Sequence, residues 1–354
     1  MIKVLKAIAE KYFSDEEAII LLLMLVLATL VVVVLGGILA PIIAAVIIAF
    51  ILQGLVTRLV SFGLPVKLAV VVVFLLFVGL LMGFTLGLLP LLWTQLTSLV
   101  SELPRMFSAT QDAIQRLPFQ YPHLISVQTI NDLFTQLTSE VGHMTQRVLS
   151  FSLRSIPNLV AWLIYLVLVP ILVFFLLKDK VVILNGLARL LPRERPMMQR
   201  IWQEMNLQFA NYVRGKALEL VVVGGATYIA FKAMGLHYSA LLSMLVGLSV
   251  VIPYIGVAVV TIPVAMIALF QFGLSSHFIW LMVIYAVIQA IDGNVFVPLF
   301  FSEVNNLHPV LIILAVLFFG GIWGIWGVFF AIPLATLLKA VLSAWPVHTA
   351  ENSS

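Results

Sequence analysis

The sequence predicts an all-α integral membrane protein, a polytopic helical bundle with an extramembrane helical arm. Three observations predict it. Of 354 residues, 63% are hydrophobic and only 10% are charged, where a soluble domain carries about 25% charge; the mean hydropathy is +1.18. The apolar residues fall in runs close to the roughly 20 residues a spanning helix needs. The Lys and Arg residues gather on one predicted side of those runs. Such an alphabet cannot build a water-facing surface, so the bilayer sets the architecture. The absence of cysteine removes disulfides, iron–sulfur clusters and thiolate chemistry.

The first run, 18–35, follows Ser14, Asp15, Glu16 and Glu17. Ser14 with Glu17 fits a capping box, with acids at the positive end of the helix dipole. A secretory signal would have a basic flank and a shorter core, so this run reads as a retained anchor. Gly36 and Gly37 are expected to break it, and a second helix follows over 38–56 with Pro41 in its first turn. The third run, 66–90, carries Gly79, Gly83 and Gly87, a stripe that lets another backbone approach.

Residues 91–155 are more polar and read as an extramembrane arm. Leu92, Leu96, Leu99 and Leu103 recur at helical spacing. Ile130, Phe134, Leu137, Val141, Met144, Val148 and Phe151 form a heptad seam. The seam packs either on its own partner helix or on another subunit. Pro118 and Pro122 separate the two stretches. Pro157 opens a fourth spanning run to Leu177, with Pro170 inside it. Residues 178–216 then hold eight Lys or Arg, with Met198, Ile201, Met205, Phe209 and Tyr212 on one face. That pattern reads as an amphipathic helix on the anionic cytoplasmic leaflet, or as a solvated basic loop.

From 217 the runs shorten: 217–234, 239–252, 255–270, 278–300, 309–320 and 323–342. Pro253 interrupts the second and Gly320-Gly321 splits the last pair. Segments such as 239–252 and 309–320 are candidates for re-entrant hairpins. The organisation expected is therefore 1–90 N-terminal transmembrane helices, 91–155 periplasmic arm, 156–216 transmembrane helix plus basic loop, 217–345 transport core and 346–354 tail. With the N-terminus cytoplasmic, 14 of the 19 basic residues fall inside, as the positive-inside rule asks.

Enzyme signatures are missing. There is no HExxH or GxSxG, and the six histidines show no metal spacing. "RGKA" at 214–217 lacks the rest of a phosphate loop, so no ATP-driven pump, cofactor or metal is expected. Nor is a nucleic-acid partner.

The informative feature is "QAIDGNVFVP" at 289–298. Between Lys232 and Lys339 the only formal charges are Asp292 and Glu303. A carboxylate in hydrocarbon costs about 2.5–3.5 kcal/mol on insertion scales, so it faces a cavity or the protein interior. Gly293 and Pro298 loosen the helix there, and Gln289, Asp292 and Asn294 are expected to line a polar site. The break "VIPYIG" at 251–256, with Pro253 and Gly256, is its expected partner, as in the broken helices of secondary transporters. Alternatively, Asp292 caps a half-helix and Asn294 ties neighbouring segments. Glu303 reads as an interface-loop residue. Glu219 reads as an interfacial i,i+3 partner of Lys216. His308 could titrate near neutral pH, but it stands alone in a loop.

Several stretches together resemble the autoinducer-2 exporter (AI-2E) family: "FSDEEAI" at 13–19, "YLVLVPILVFFLLKDK" at 165–180, "NYVRGKALE" at 211–219, "VIPYIGVAVVTIPV" at 251–264, "QAIDGNVFVPLFFSEVNNLHPVLIIL" at 289–314 and "FFGGIWGIWGVFFAIPLATLLKA" at 318–340. The resemblance implies a bacterial inner-membrane protein with about eight helices and a transport role. It links the fold to autoinducer-2 export, and in other members to sodium/proton antiport. It also implies homo-oligomers, plausibly pentamers. On this chain its motifs fall on Pro253, Gly256, Gln289, Asp292, Gly293, Asn294, Pro298, His308 and Pro309. Three functions follow as expectations: a permease or exporter of a small polar solute, facilitated or gradient-driven; a sodium/proton antiporter using Asp292; and a non-transporting oligomeric scaffold whose 91–155 arm recruits a partner.

Overall fold

The computed structural model describes residues 16–114, 139, 142, 156–189, 191–192, 195–253, 255–296, 299 and 307–345. Among them the regular structure is entirely helical. The helices are α1 (Glu16–Ser61), α2 (Val66–Gly83), α3 (Leu89–Ile114), α4 (Ile156–Lys178), α5 (Lys180–Ala188), α6 (Pro196–Ala233), α7 (Ser239–Ser249), α8 (Ile255–Phe272), α9 (Ser276–Ile291), α10 (Pro309–Trp323) and α11 (Ile325–Ala344). Short π-helical turns, Phe84–Leu88 and Asp292–Phe296, follow α2 and α9. Five helical stretches are long and apolar enough to cross a membrane. The heptad seam at 130–151, Pro118, Pro122, Pro298 and Glu303 lie outside the described residues.

The expected break at Gly36-Gly37 is corrected. Helix α1 runs unbroken for 46 residues through both glycines and Pro41. It is not straight, however. At one end Glu17 accepts hydrogen bonds from the amides of Met197 and Met198. Near the other, a Cβ on Gly54 would lie 2.9 Å from Arg214 Nε. A straight helix from 17 to 54 would span about 55 Å, whereas 198 to 214 on α6 spans about 24 Å. Both ends touch α6, so α1 bends back between them, and the stretch between holds the Gly pair and proline that permit a bend. The two expected segments are two arms of one bent helix.

The third segment does not stop at 90 either. The π-turn begins directly after Gly83 and leads into α3, which continues to Ile114 with Pro104 inside. Cβ atoms built on Gly79, Gly83 and Gly87 meet nothing within 4 Å, so the stripe is uncovered among the described residues. Helix α4 matches the fourth run. Its Val169, Val173 and Leu177 pack with Ala45, Leu52 and Val56 of α1 and with Ala69, Val70 and Val73 of α2 into one core.

Helix α6 organises the rest. The basic amphipathic stretch and the fifth apolar run are a single helix of 38 residues. Its apolar face is covered by protein, which corrects the expectation that it lies on lipid: Met198, Ile201 and Tyr212 are buried. Phe209 meets Phe50 edge-on at 5.2 Å and stacks on Phe330 at 5.8 Å. The Tyr212 hydroxyl donates to the Phe329 carbonyl at 2.9 Å. Above this level Val223 and Phe231 of α6 join Leu242 and Val246 of α7, Val264 and Ile267 of α8, and Leu281 and Tyr285 of α9 in the largest core.

The short C-terminal helices form hairpins. Gly247 of α7 lies against Gly224 of α6, where an added Cβ would be 3.1 Å from the Gly224 Cα. At the tip of the α7–α8 pair, a Cβ on Gly256 would land on the Ser249 carbonyl. At its base, Gln271 near the end of α8 accepts from the His237 amide at 2.7 Å and donates to the Gly235 carbonyl at 2.7 Å. The chain therefore runs out through α7 and returns to the level of the 235–237 turn through α8: a helical hairpin with a broken tip. Helix α7 has 11 residues, about 16 Å, well short of a bilayer core of about 30 Å. Ile252 at the tip packs with Phe319, Val328 and Ala331 of the second hairpin, α10–α11, which turns at Gly324 in a backbone conformation, φ 60° and ψ −135°, open to glycine.

Candidate functional site

Helices α6 and α9 bring the charged and amide side chains of the C-terminal half together. From the turn at 234–238, where His277 contacts the Met234 carbonyl at 3.0 Å, α9 runs 16 residues, about 24 Å, to Asp292. On α6, Glu219 and Lys216 lie a comparable distance from the same turn. Asp292 is 5% exposed, Glu219 1% and Lys216 6%.

Lys216 Nζ stands 3.0 Å from Glu219 Oε1, in a hydrogen bond, and 2.8 Å from Oε2, an ion contact off the hydrogen-bond direction. The same ammonium donates to the Val250 carbonyl at 2.9 Å. That carbonyl belongs to the broken tip after α7. Its neighbours find donors within the tip: Leu248 O from Val251 N, Ser249 O from Ile252 N, and Ile252 O from Gly256 N. A cation at a helix C-terminus also opposes the negative end of the dipole. Asp292 lies within range of both charges, acting on Glu219 and acted on by Lys216. Two carboxylates thus share one ammonium.

The α9 side of the site is unsatisfied. Asp292 Oδ1 and both polar atoms of the Gln289 side chain are buried without a hydrogen-bond partner, and so is Thr227 Oγ1 on α6. Thr227 follows Glu219 by two turns on the same stripe, between Val223 and Phe231 of the central core. Farther along, the Tyr285 and Thr261 hydroxyls pair at 3.0 Å. Buried polar groups are ordinarily bonded, and leaving one unmade costs about 1–3 kcal/mol. Their concentration here marks this seam as the candidate site.

The expected site residues fall out unequally. Gln289 and Asp292 come together, with Gly293 in the π-turn that follows. Asn294 does not join them: it is exposed, and its Nδ2 donates to the Ala290 carbonyl of its own helix at 2.8 Å. Pro253 and Gly256 form the hairpin tip that Lys216 holds. Glu219 pairs with Lys216 as expected, but in the interior rather than at an interface. His308 caps α10, its Nδ1 accepting from the Val310 amide at 3.3 Å. Sequence reasoning missed Lys216 as a site residue because it stood last among eight basic residues. The available signal was its place: Lys216 and Glu219 open an apolar run on a helix with no interruption before it.

The far end of the core is also tied down. Gln95 of α3 accepts from the Leu241 amide at 2.9 Å at the start of α7. Tyr238, at φ 57°, hydrogen-bonds Glu102; burial and that carboxylate hold its hydroxyl above the usual range, so it stays protonated. The turn at 234–241 therefore lies against the 95–102 stretch of α3.

The pattern that defines the AI-2E family transporters matches residues 19–347. The chain belongs to the AI-2E family. It is 46% identical over 346 residues to a protein of Escherichia coli (strain K12) named "Putative permease PerM", covering 98% of each chain. It is 27% identical over 291 residues to the "Putative transport protein YueF" of Bacillus subtilis (strain 168), covering 80% of this chain and 78% of that one. A protein of Thermotoga maritima named "Putative transport protein" is 32% identical over 146 residues, covering 41% of this chain and 42% of that one. With the helical architecture, this family makes the chain a multi-pass membrane protein with a transport role.

Proposed function

We propose that this transporter moves a small polar solute across the bacterial inner membrane through the seam between α6 and α9, by facilitated or gradient-driven passage and without catalysis. The observation that carries the reading is the set of buried, unpartnered polar atoms on Gln289, Asp292 and Thr227 beside the broken tip of the α7–α8 hairpin. Polar groups left open in a membrane interior are paired when a guest arrives, and broken helices are where such guests bind. The family resemblance makes autoinducer-2 the first solute to test. The reading places the N-terminus in the cytoplasm and the 91–155 arm in the periplasm. It also includes a homo-oligomer, plausibly a pentamer, for which the uncovered Gly79, Gly83 and Gly87 stripe offers a contact face; mass measurement in detergent tests that part.

The test is efflux from proteoliposomes loaded with autoinducer-2, wild type beside Gln289→Ala and Asp292→Asn. Efflux that neither substitution changes would refute the placement of the path. A second reading, sodium/proton antiport, is favoured by one observation: two buried carboxylates face a single ammonium, which leaves a negative charge for a proton or monovalent cation to balance. Sodium-driven proton flux in wild type and its loss in Asp292→Asn would support it; silence in both would remove it.

A further inference from the structure

We propose that Lys216 is a positioning residue of transport, an ammonium latch that holds the tip of the α7–α8 hairpin on α6 and releases it according to the charge at Asp292. The proposal rests on the reading of Asp292 and Gln289 as the transport site. Its own ground is geometric. Lys216 Nζ is the donor to Val250 O, 34 positions away in sequence, while the other tip carbonyls named above are satisfied by the tip's own amides. The carbonyl at the broken end of a half-helix thus depends on a side chain from another element, and that side chain is also the counter-ion of Glu219.

The charge arithmetic makes the latch responsive. Among the described residues the titratable groups around the tip are Lys216, Glu219 and Tyr212 from α6, Asp292 from the π-turn after α9 and, two turns back, Tyr285 of α9. Helices α7, α8 and α10 contain no charged residue. With Asp292 neutral, whether protonated or balanced by a bound cation, Lys216 serves Glu219 and Val250. With Asp292 charged and empty, a second carboxylate draws the ammonium toward the π-turn and away from the tip, and the neutral carbonyl is the weaker claimant. The tip then loses its donor. Because Ile252 on that tip packs against α10–α11, its release loosens the contact between the two hairpins. Occupancy of the site thereby controls the barrier beside it.

The chain's lack of cysteine allows a direct test. Val251→Cys places a single thiol on the tip of the full-length protein in proteoliposomes, and a water-soluble maleimide reads its exposure without any solute. Lys216→Met in that background is expected to label roughly tenfold faster, the scale set by one charge-assisted hydrogen bond; Lys216→Arg, which can still donate, is expected to stay near wild type. With each rate divided by that of the denatured protein at the same pH, which removes the rise in thiolate, wild type is expected to label faster as Asp292 ionises and Asp292→Asn to stay low and flat. If Lys216→Met proves unstable, Lys216→Met with Glu219→Gln removes both charges and still frees the tip. Equal labelling of wild type and these Lys216 variants would overturn the latch, and a pH response indifferent to Asp292→Asn would overturn its coupling. Neither result depends on solute movement, so failure of the latch and failure of the transport reading are separable.

Discussion

The Lys216–Glu219 pair makes a quantitative prediction about stability. Both side chains are nearly sealed, at 7% and 2% exposure, and their charged atoms lie 2.8 Å apart. Lys216→Met leaves the Glu219 carboxylate buried without its counter-ion and Val250 without its donor, a loss of about 3–5 kcal/mol. Glu219→Gln leaves the ammonium bonded to Val250 with Asp292 still nearby, and costs about 1–3 kcal/mol. The double variant removes both charges and opens only the Val250 carbonyl, so it is expected to cost about 1–3 kcal/mol, well below the combined singles. The coupling energy of the cycle is then about 4 kcal/mol. Equilibrium unfolding in mixed detergent micelles, followed by tryptophan fluorescence, measures all four proteins. Losses that simply add would refute the reasoning, since they would mean that water reaches the pair and screens it.

Three further outcomes follow from contacts elsewhere. Gly256→Ala drives a Cβ onto the Ser249 carbonyl, so the hairpin tip must open, at a cost of about 1–3 kcal/mol; the unfolding midpoint should fall and Val251→Cys should label faster. Glu17→Ala removes the carboxylate that accepts the Met197 and Met198 amides, worth about 1 kcal/mol as a cap, and amide exchange at the start of α6 should quicken while the site is unaffected. His308→Ala takes the cap from Val310 and should lower stability by about 0.5–1 kcal/mol with transport intact; a tenfold loss of transport would return His308 to the path.

The sequence announced the class plainly because spanning helices are written in composition, which needs no knowledge of partners. Runs such as 157–177 and the start of 66–90 were legible for that reason. Boundaries were harder. Gly36-Gly37 reads as a break in water, where glycine exposes backbone, but in an apolar setting every amide still needs a bond and the helix continues through the pair as a bend. Lys216 and Ala217 looked like the end of a loop and the start of a helix, because charge density falls there; the hydrogen-bond ladder ignores the change. Among the candidates, Asp292 and Gln289 stand out in the sequence by their cost in an apolar run. Asn294 faces the other way: a residue two positions past Asp292 sits roughly on the opposite side of the helix, and it bonds its own helix at Ala290. The Lys216–Val250 bond was beyond reach, because no local pattern tells which distant carbonyl will lack a donor.

That bond also explains why a charged residue sits where a neutral donor would serve. A hydroxyl from α6 could satisfy Val250 alone with less desolvation than an ammonium requires. The ammonium does more: it answers the carbonyl, the Glu219 carboxylate and the field of Asp292 together, so the three cannot change independently. Replacing the trio by apolar residues of similar volume is often neutral or stabilising in buried ion pairs, and so stability is a poor reason for keeping it. A fold that holds two carboxylates and one lysine in its interior, with unpartnered amide atoms alongside, has given up some stability for a site whose charge state is coupled to the position of a hairpin. Lys216→Met with Glu219→Gln separates these roles: a protein that still folds and inserts but no longer transports would assign the pair to function, whereas one that transports normally would reduce it to a tether.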